Sequence, residues 1–314
     1  MNKGKLQTVN ESKQKVKPFL KWAGGKGQLV NAFENYYPHE LKRSEIQYYY
    51  EPFIGGGAVF FNLVQNYQFK STFIYDINEE LILTYIVVQR DVVKLIEILK
   101  EWKEKYESLI KEKQIQYYYK LREDFNLQKI SIDFNNYSGR WILRAAQIIF
   151  MNKTCFNGLF RFNANGKFNV PAGRYKNPKI LDEINILRAS ELLKNTEIKC
   201  ADFLQMEKDI KNNSFVYFDP PYRPLSKTSN FTSYSKDGFD DAQQIKLAEL
   251  FKRLNKKGVK LMLSNSDPKN INPGDNFFDD IYRNYHIVRI PAKRMINSDA
   301  SKRNSVNEII VTNY

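Results

Sequence analysis

A doubly wound, mostly parallel α/β sheet carrying an inserted helical unit is the fold class that this sequence predicts, and three observations predict it. Short apolar runs ("IQYYYEPF", "STFIYDIN", "EIKCADF", "SFVYFDPP", "VKLMLSNSD") alternate with longer segments of helical period. The first run leads into the glycine cluster Gly55 to Gly57, and the second stops on an acid, Asp76, roughly 20 residues further on, which is how a nucleotide-binding sheet opens. From about Glu79 to Met151 the strand signal gives way to long amphipathic stretches, which marks an insertion.

Each element follows in order. Residues 1–17 are a solvated basic tail. "PFLKWAGGKGQLVNAF" has an extended aromatic start, a glycine turn at Gly24 and Gly25, and a helical apolar pattern. A strand from Ile46 to Tyr50 precedes the glycines, and the helix after them packs Val59, Phe60 and Leu63. The insertion contains "VVKLIEILKEWKEKYESLIKEKQIQYYYKL" and the denser "RWILRAAQIIF". "GLFRFNANGKFNVPAGRYKNP" then alternates aromatic and polar residues around Asn165-Gly166, a strong hairpin signal over about 158–172, with Arg161, Lys167, Arg174, Lys176 and Lys179 on or beside it. After two further strands, "FDDAQQIKLAELFKRLNKKG" is a helix with Asp240 as N-cap and Gly258 as its stop. "VKLMLSNSD", "HIVRIPA" and "NEIIVTNY" complete the sheet. The expected domains are therefore 18–85 with 183–314, and an insertion over 86–182.

Composition narrows the chemistry. With 314 residues and 42% hydrophobic content the chain can bury a full core. Neither an apolar run of membrane-spanning length nor a signal peptide is readable, so a cytoplasmic location is the default expectation. The two cysteines, Cys155 and Cys200, form no C-x-x-C pair, and His39 and His286 are the only histidines, which disfavours a disulfide framework, a zinc site and histidine-based catalysis. No metal is expected. The 49 Lys+Arg against 35 Asp+Glu, a formal charge of +14, favour a polyanionic partner such as nucleic acid, although a generally lysine-rich surface accounts for the charge as well.

Two motifs carry chemistry. Gly55 to Gly57 follow a strand and open a helix, where backbone must approach a ligand closely, and Asp76 stands where such folds hold ribose hydroxyls. The F-x-G-x-G spacing from Phe53 to Gly57 departs from G-x-G-x-x-G, so an adenosine-bearing ligand other than a dinucleotide is favoured. The second motif is "SFVYFDPPYRPLS". Its prolines forbid both helix and central-strand pairing, so the strand must end at Asp219. Asp219, the carbonyls of Pro220 and Pro221, and the Tyr222 ring then offer acceptors beside a flat apolar face, which suits a planar amine. The lone pair of a nucleobase amine is delocalised, and acceptors that hold its N–H groups favour rehybridisation. Asp219, ordinarily ionised, orients the amine and stabilises charge rather than stripping a proton beforehand.

The segments "FLKWAGGKG", "EPFIGGGAVFF", "YDIN", "NGLFRFNANGKFNVPAGRYK", "ADF", "FDPPYRPLS", "NFTSYSKDGF" and "LSNSD", in this order, resemble the Dam-type DNA adenine-N6 methyltransferases from Pro18 to the C-terminus. The resemblance implies a Rossmann-like methyltransferase sheet with an antiparallel edge strand, S-adenosylmethionine as cofactor, and residues 86–182 as a target-recognition domain for double-stranded DNA. By that resemblance Trp22, Lys26, Gly55, Gly57, Asp76, Asp202 and Phe203 bind the cofactor, and Asp219, Pro220, Pro221 and Tyr222 line the target-adenine pocket. Lys21 meets the first guanine, Arg161 takes a guanine O6 and N7, and Phe156, Asn157, Leu159, Pro171 and Tyr175 contact or stack beside the target. Phe156 replaces a tyrosine of one bacterial branch, so stacking persists but a hydroxyl contact does not. The implied site is GATC, methylated by a monomer on an adenine flipped out of the stack. Cytosine N4 or an RNA adenine is the nearest alternative target; a nucleotide-dependent oxidoreductase and a DNA-binding module without catalysis are the more distant ones.

Overall fold

The computed structural model describes residues 15–223, 239–292 and 306–314. Most of the basic tail, the end of "FDPPYRPLS" and nearly all of "NFTSYSKDGF" lie outside the described residues.

The elements run α1 (Val30–Phe33), α2 (His39–Lys42), β1 (Tyr48–Glu51), α3 (Ala58–Asn66), β2 (Ser71–Asp76), α4 (Glu79–Arg90), α5 (Val92–Ser108), α6 (Lys111–Gln128) and α7 (Gly139–Thr154). They continue with α8 (Glu183–Leu193), β3 (Thr196–Cys200), β4 (Ser214–Phe218), α9 (Asp241–Lys256), β5 (Lys260–Ser266), α10 (Phe277–Ile281), β6 (His286–Ala292) and β7 (Val306–Thr312). Seven strands form one sheet of order β3-β2-β1-β4-β5-β7-β6. Its strands pair in parallel from β3 to β5, and antiparallel pairing is confined to the β5–β7–β6 edge.

Strand alternation explains why both faces are covered. Tyr49, Tyr217, Met262 and Ile310 join one apolar cluster with the helices of the first two thirds of the chain. Their neighbours Tyr50, Val216, Phe218, Leu261, Leu263, Ile309 and Val311 face the other way, onto Leu247, Leu250, Phe251 and Leu254 of α9 and Phe278 of α10. All five residues of β4 are buried, as expected of a central parallel strand. Helix α9 begins and ends where its caps predict: Asp240 accepts from the Gln243 amide, and Gly258 follows in the left-handed region.

Two expectations change. The apolar pattern after "AGGKG" forms only the four-residue α1. The hairpin is held by isolated bridges, Phe162 to Phe168 and Cys155 to Ala172, rather than by continuous strands. Its tip is not a two-residue Asn-Gly turn: the Asn163 amide donates to the Lys167 carbonyl at 2.9 Å, and of Asn165 and Gly166 only Gly166 has positive φ. Side chains of α6 and of Lys129 just beyond it supplement the sparse ladder, with Tyr118 and Arg122 donating to the Val170 carbonyl, Asn126 to that of Phe168 and Lys129 to that of Gly166.

Candidate active site

The strand order reverses direction between β1 and β4, so the loops after them flank the crevice where open α/β sheets bind ligands. The β1 loop is the glycine turn; the β4 loop is Asp219 to Tyr222. Across this crevice lies the loop from Lys21 to Lys26. A Cβ on Gly55, whose φ is +45°, would come within 2.9 Å of Trp22 Cδ1, so only glycine allows the two loops to meet.

Lys26 ends that loop and points into the crevice. Its side chain is 2% exposed, and Nζ lies 2.8 Å from Asp219 Oδ1 and 3.3 Å from Glu308 Oε2. Nζ also donates to the Tyr222 hydroxyl at 2.7 Å, 4.4 Å from the ring centroid. The Tyr222 hydroxyl in turn donates to Glu308 Oε1 at 2.5 Å. Ser264 donates to Asp219 Oδ1 at 3.3 Å. Burial pushes the Asp219 carboxyl above the usual carboxylate range, with Lys26 opposing. Burial would lower the Lys26 pKa, but Asp219, Tyr222 and Glu308 outweigh it and hold the ammonium charged. Lys26, expected to bind the cofactor, thus lies within reach of Asp219, Tyr222 and Glu308.

The rest of the acceptor loop is braced from outside. Gln244 on α9 donates to the Pro221 carbonyl at 3.2 Å. Arg223 pairs with Asp241 and Asp275, each at 2.6 Å, and stacks over Phe277. Asp219 is therefore the main acceptor facing Lys26, while one of the two proline carbonyls is already engaged. Tyr222 is 39% exposed, so its ring is accessible.

Of the residues expected to hold a cofactor, Gly55, Gly57, Asp76, Asp202 and Phe203 gather at the ends of β1, β2 and β3. Asp76 accepts from the Gly55 amide at 3.2 Å and the Asn78 amide at 3.0 Å. Burial raises its carboxyl to about 6 against those donors. An open cavity of about 360 Å³ lies beside it, lined by Ile77, Asn78, Glu80, Cys200 and Asp202 and, from the segment between β2 and β3, by Lys129 and Phe162. Phe203 lies behind, stacked on Phe53 at 5.3 Å. A cavity of this size, with Asp202 in its lining and Asp76 immediately before Ile77 and Asn78, fits a nucleoside with hydroxyl and amine donors.

The residues expected to meet DNA form a third group. Asn152 bridges the Lys21 amide and carbonyl to the Gly158 carbonyl, at 2.7 Å, 2.8 Å and 2.9 Å. Lys21 Nζ lies 3.3 Å from the Tyr175 hydroxyl. A Cβ at Gly158, φ +66°, would fall 2.4 Å from Lys21 Cδ, so the chain passes directly over the lysine. Phe156 and Asn157 are exposed, Leu159 is half-buried, and the Phe156 amide donates to the carbonyl of exposed Pro171. Arg161 is exposed and donates through Nε to Asn169 Oδ1 at 3.1 Å.

The strand order is consistent with a methyltransferase fold, and the acceptor loop suits an amine. A family model for the D12 class N6 adenine-specific DNA methyltransferases matches residues 22–296, and the chain belongs to that family. The type II methyltransferase M.MjaIII of Methanocaldococcus jannaschii is 51% identical over 300 residues, covering 95% of this chain and 99% of its own. The type II methyltransferase M1.LlaDCHI of Lactococcus lactis subsp. cremoris is 38% identical over 98% of this chain and 99% of its own. A DNA adenine methylase of Salmonella typhi is 31% identical over 95% of both. Adenine N6 is thereby favoured over the cytosine and oxidoreductase alternatives. No helix among the described residues is long and apolar enough to cross a membrane, and none of their His, Cys, Asp and Glu side chains form a group that could hold a metal ion.

Proposed function

We propose that the protein, acting as a cytoplasmic monomer, transfers a methyl group from S-adenosylmethionine to the N6 amine of the adenine in duplex GATC, after turning that base out of the helix. The observation that carries this reading is the Lys26 ammonium, which donates at 2.7–2.8 Å to both Asp219 and Tyr222 and so occupies the position an exocyclic amine would take. S-adenosylmethionine, when bound, supplies a methyl on a sulfonium. Asp219 accepts an N6–H, orients the N6 lone pair and stabilises the positive charge that grows on N6 as the N–C bond forms. Burial raises the affinity of Asp219 for a proton, which suits it to receive the one that N6 sheds. Tyr222 stacks on the base, because an amine inside a duplex stack is out of reach. Trp22, Gly55, Gly57, Asp76, Asp202 and Phe203 hold the cofactor. Lys21, Phe156, Asn157, Leu159, Pro171 and Tyr175 meet the DNA, and the guanidinium fork of Arg161 reads a guanine.

Tritiated methyl transfer to GATC duplexes and to duplexes with the site scrambled tests the reading. Incorporation confined to GATC is expected. No incorporation in either would remove the enzymatic reading, and equal incorporation in both would remove the site.

Asp76 gives a second expectation. A carboxylate can accept from both ribose hydroxyls, whereas its protonated form loses acceptor capacity. Because burial raises this carboxyl to about 6, cofactor affinity is expected to be full well above pH 6 and to fall as pH drops through it. Calorimetric titration across that range, with Asp76→Asn as control, would show a flat profile in the variant; a fall of equal size in both would refute the assignment.

A further inference from the structure

We propose that Glu308 is a positioning residue of the amine pocket, holding the Tyr222 hydroxyl and drawing the Lys26 ammonium off Asp219 when the target amine arrives. This rests on the adenine-methylating reading above. Glu308 lies in β7, an otherwise largely apolar strand, and is only 8% exposed. A carboxylate in such a place is costly unless it is partnered. Both of its partners belong to the pocket: Oε1 accepts from Tyr222 at 2.5 Å, and Oε2 faces Lys26 Nζ at 3.3 Å without a formed hydrogen bond.

That asymmetry is what makes the contact useful. Lys26 is closer to Asp219, at 2.8 Å, and there it occupies the acceptor that the incoming N6–H needs. The ammonium is too well stabilised to leave as a neutral amine, so it must keep an anionic partner while it moves. Glu308 is the other carboxylate in contact with it, and that contact has room to shorten.

Charge points the same way. Lys26 paired with Asp219 alone would leave the pocket neutral where positive charge develops. With Glu308 counted at its formal charge, the three groups sum to one negative, and Asp219 retains its own for the substrate. Glu308 touches neither base nor cofactor in this account; it acts through Lys26 and Tyr222.

The experiment compares Glu308→Gln and Glu308→Asp in the full chain, measuring kcat and KM on an adenine-containing duplex, duplex affinity by fluorescence anisotropy, and thermal midpoint. Glutamine keeps the size of the side chain and an acceptor for Tyr222 but loses the charge. Aspartate keeps the charge but is too short to reach both partners. Glu308→Gln is expected to lower kcat by about tenfold or more with KM and duplex affinity within about threefold, and Glu308→Asp to lie between it and wild type. A residue that merely supports β7 would give the opposite order, since glutamine is the closer isostere. That order, or wild-type kcat in either folded variant, overturns the proposal. Should the glutamine chain not fold, the aspartate variant alone still decides. A wild-type protein that methylates no adenine removes the functional reading instead; an active wild type with indifferent variants removes only Glu308.

Discussion

Asp219→Ala is expected to lower kcat for methyl transfer by about 10²–10³-fold or more while duplex and cofactor affinities stay within a few-fold. In the proposed reaction the residue supplies the acceptor at the point where the N6 charge develops, and Ser264 and Lys26 hold that acceptor in place from two sides. The fold should survive the change, because the Lys26 ammonium keeps Glu308 and the Tyr222 hydroxyl as partners. Asp219→Asn separates charge from geometry: its carbonyl still accepts an N–H, but the negative charge is gone, so its kcat is expected between those of alanine and wild type. Single-turnover methyl transfer, measured with saturating cofactor and duplex, reads the chemical step directly. Normal turnover in Asp219→Ala would end the assignment of this residue, and a parallel collapse of duplex affinity would move its role from chemistry to binding.

What the sequence disclosed and what it withheld divide along a physical line. Local chemistry was legible. Two prolines after an apolar run must end a strand, so Asp219 at the tip of β4 follows from covalent geometry alone. Glycines between a strand and a helix announce a close approach, and the approach is that of Trp22. Pairings set by the folded chain were not legible. Glu308 lies 86 residues from Tyr222, and a single acid in "VNEIIVT" resembles an ordinary edge-strand charge until β7 inserts between β5 and β6. Lys129 and Phe162 likewise reach the cavity at the ends of β2 and β3 only because the segment between those strands folds back toward the sheet. Lys26 carried a motif but no direction; its reach to Asp219 depends on how the "KWAGGK" loop lies over the glycine turn. At the hairpin, the Asn-Gly signal located the turn but not the contacts that Asn126 of α6 and Lys129 just beyond it make to the backbone there. Helix α8, not among the expected elements, packs Ile186, Ala189 and Leu193 into the core.

The largest expected loss of stability also comes from a residue whose sequence context hides it. "RWILRAAQIIF" has the texture of an apolar core helix, yet Arg144 within it is fully buried. Its Nε donates to Glu80 Oε2 at 2.7 Å, its Nη2 pairs with Glu80 Oε1, and its Nη1 donates to the Phe125 carbonyl at 3.0 Å. The guanidinium also lies 3.9 Å from the Phe125 ring centroid, so one side chain ties α4, α6 and α7 together. Burial pushes the Glu80 carboxyl up, and Arg144 opposes that push. Arg144→Met keeps much of the volume but strands Glu80, at an expected cost of about 3–5 kcal/mol. Without its partner Glu80 holds a proton more tightly folded than unfolded. Protonation therefore relieves the variant, whose deficit should be smallest at acid pH and grow as pH rises through the raised folded pKa. Adding Glu80→Leu removes the stranded charge and is expected to restore most of the loss, because a well-packed apolar pair can replace a buried ion pair. Urea unfolding of the two variants across pH measures all three effects. A single variant within about 1 kcal/mol of wild type, or a double variant no better than the single, would show that the pair is not what joins α4, α6 and α7.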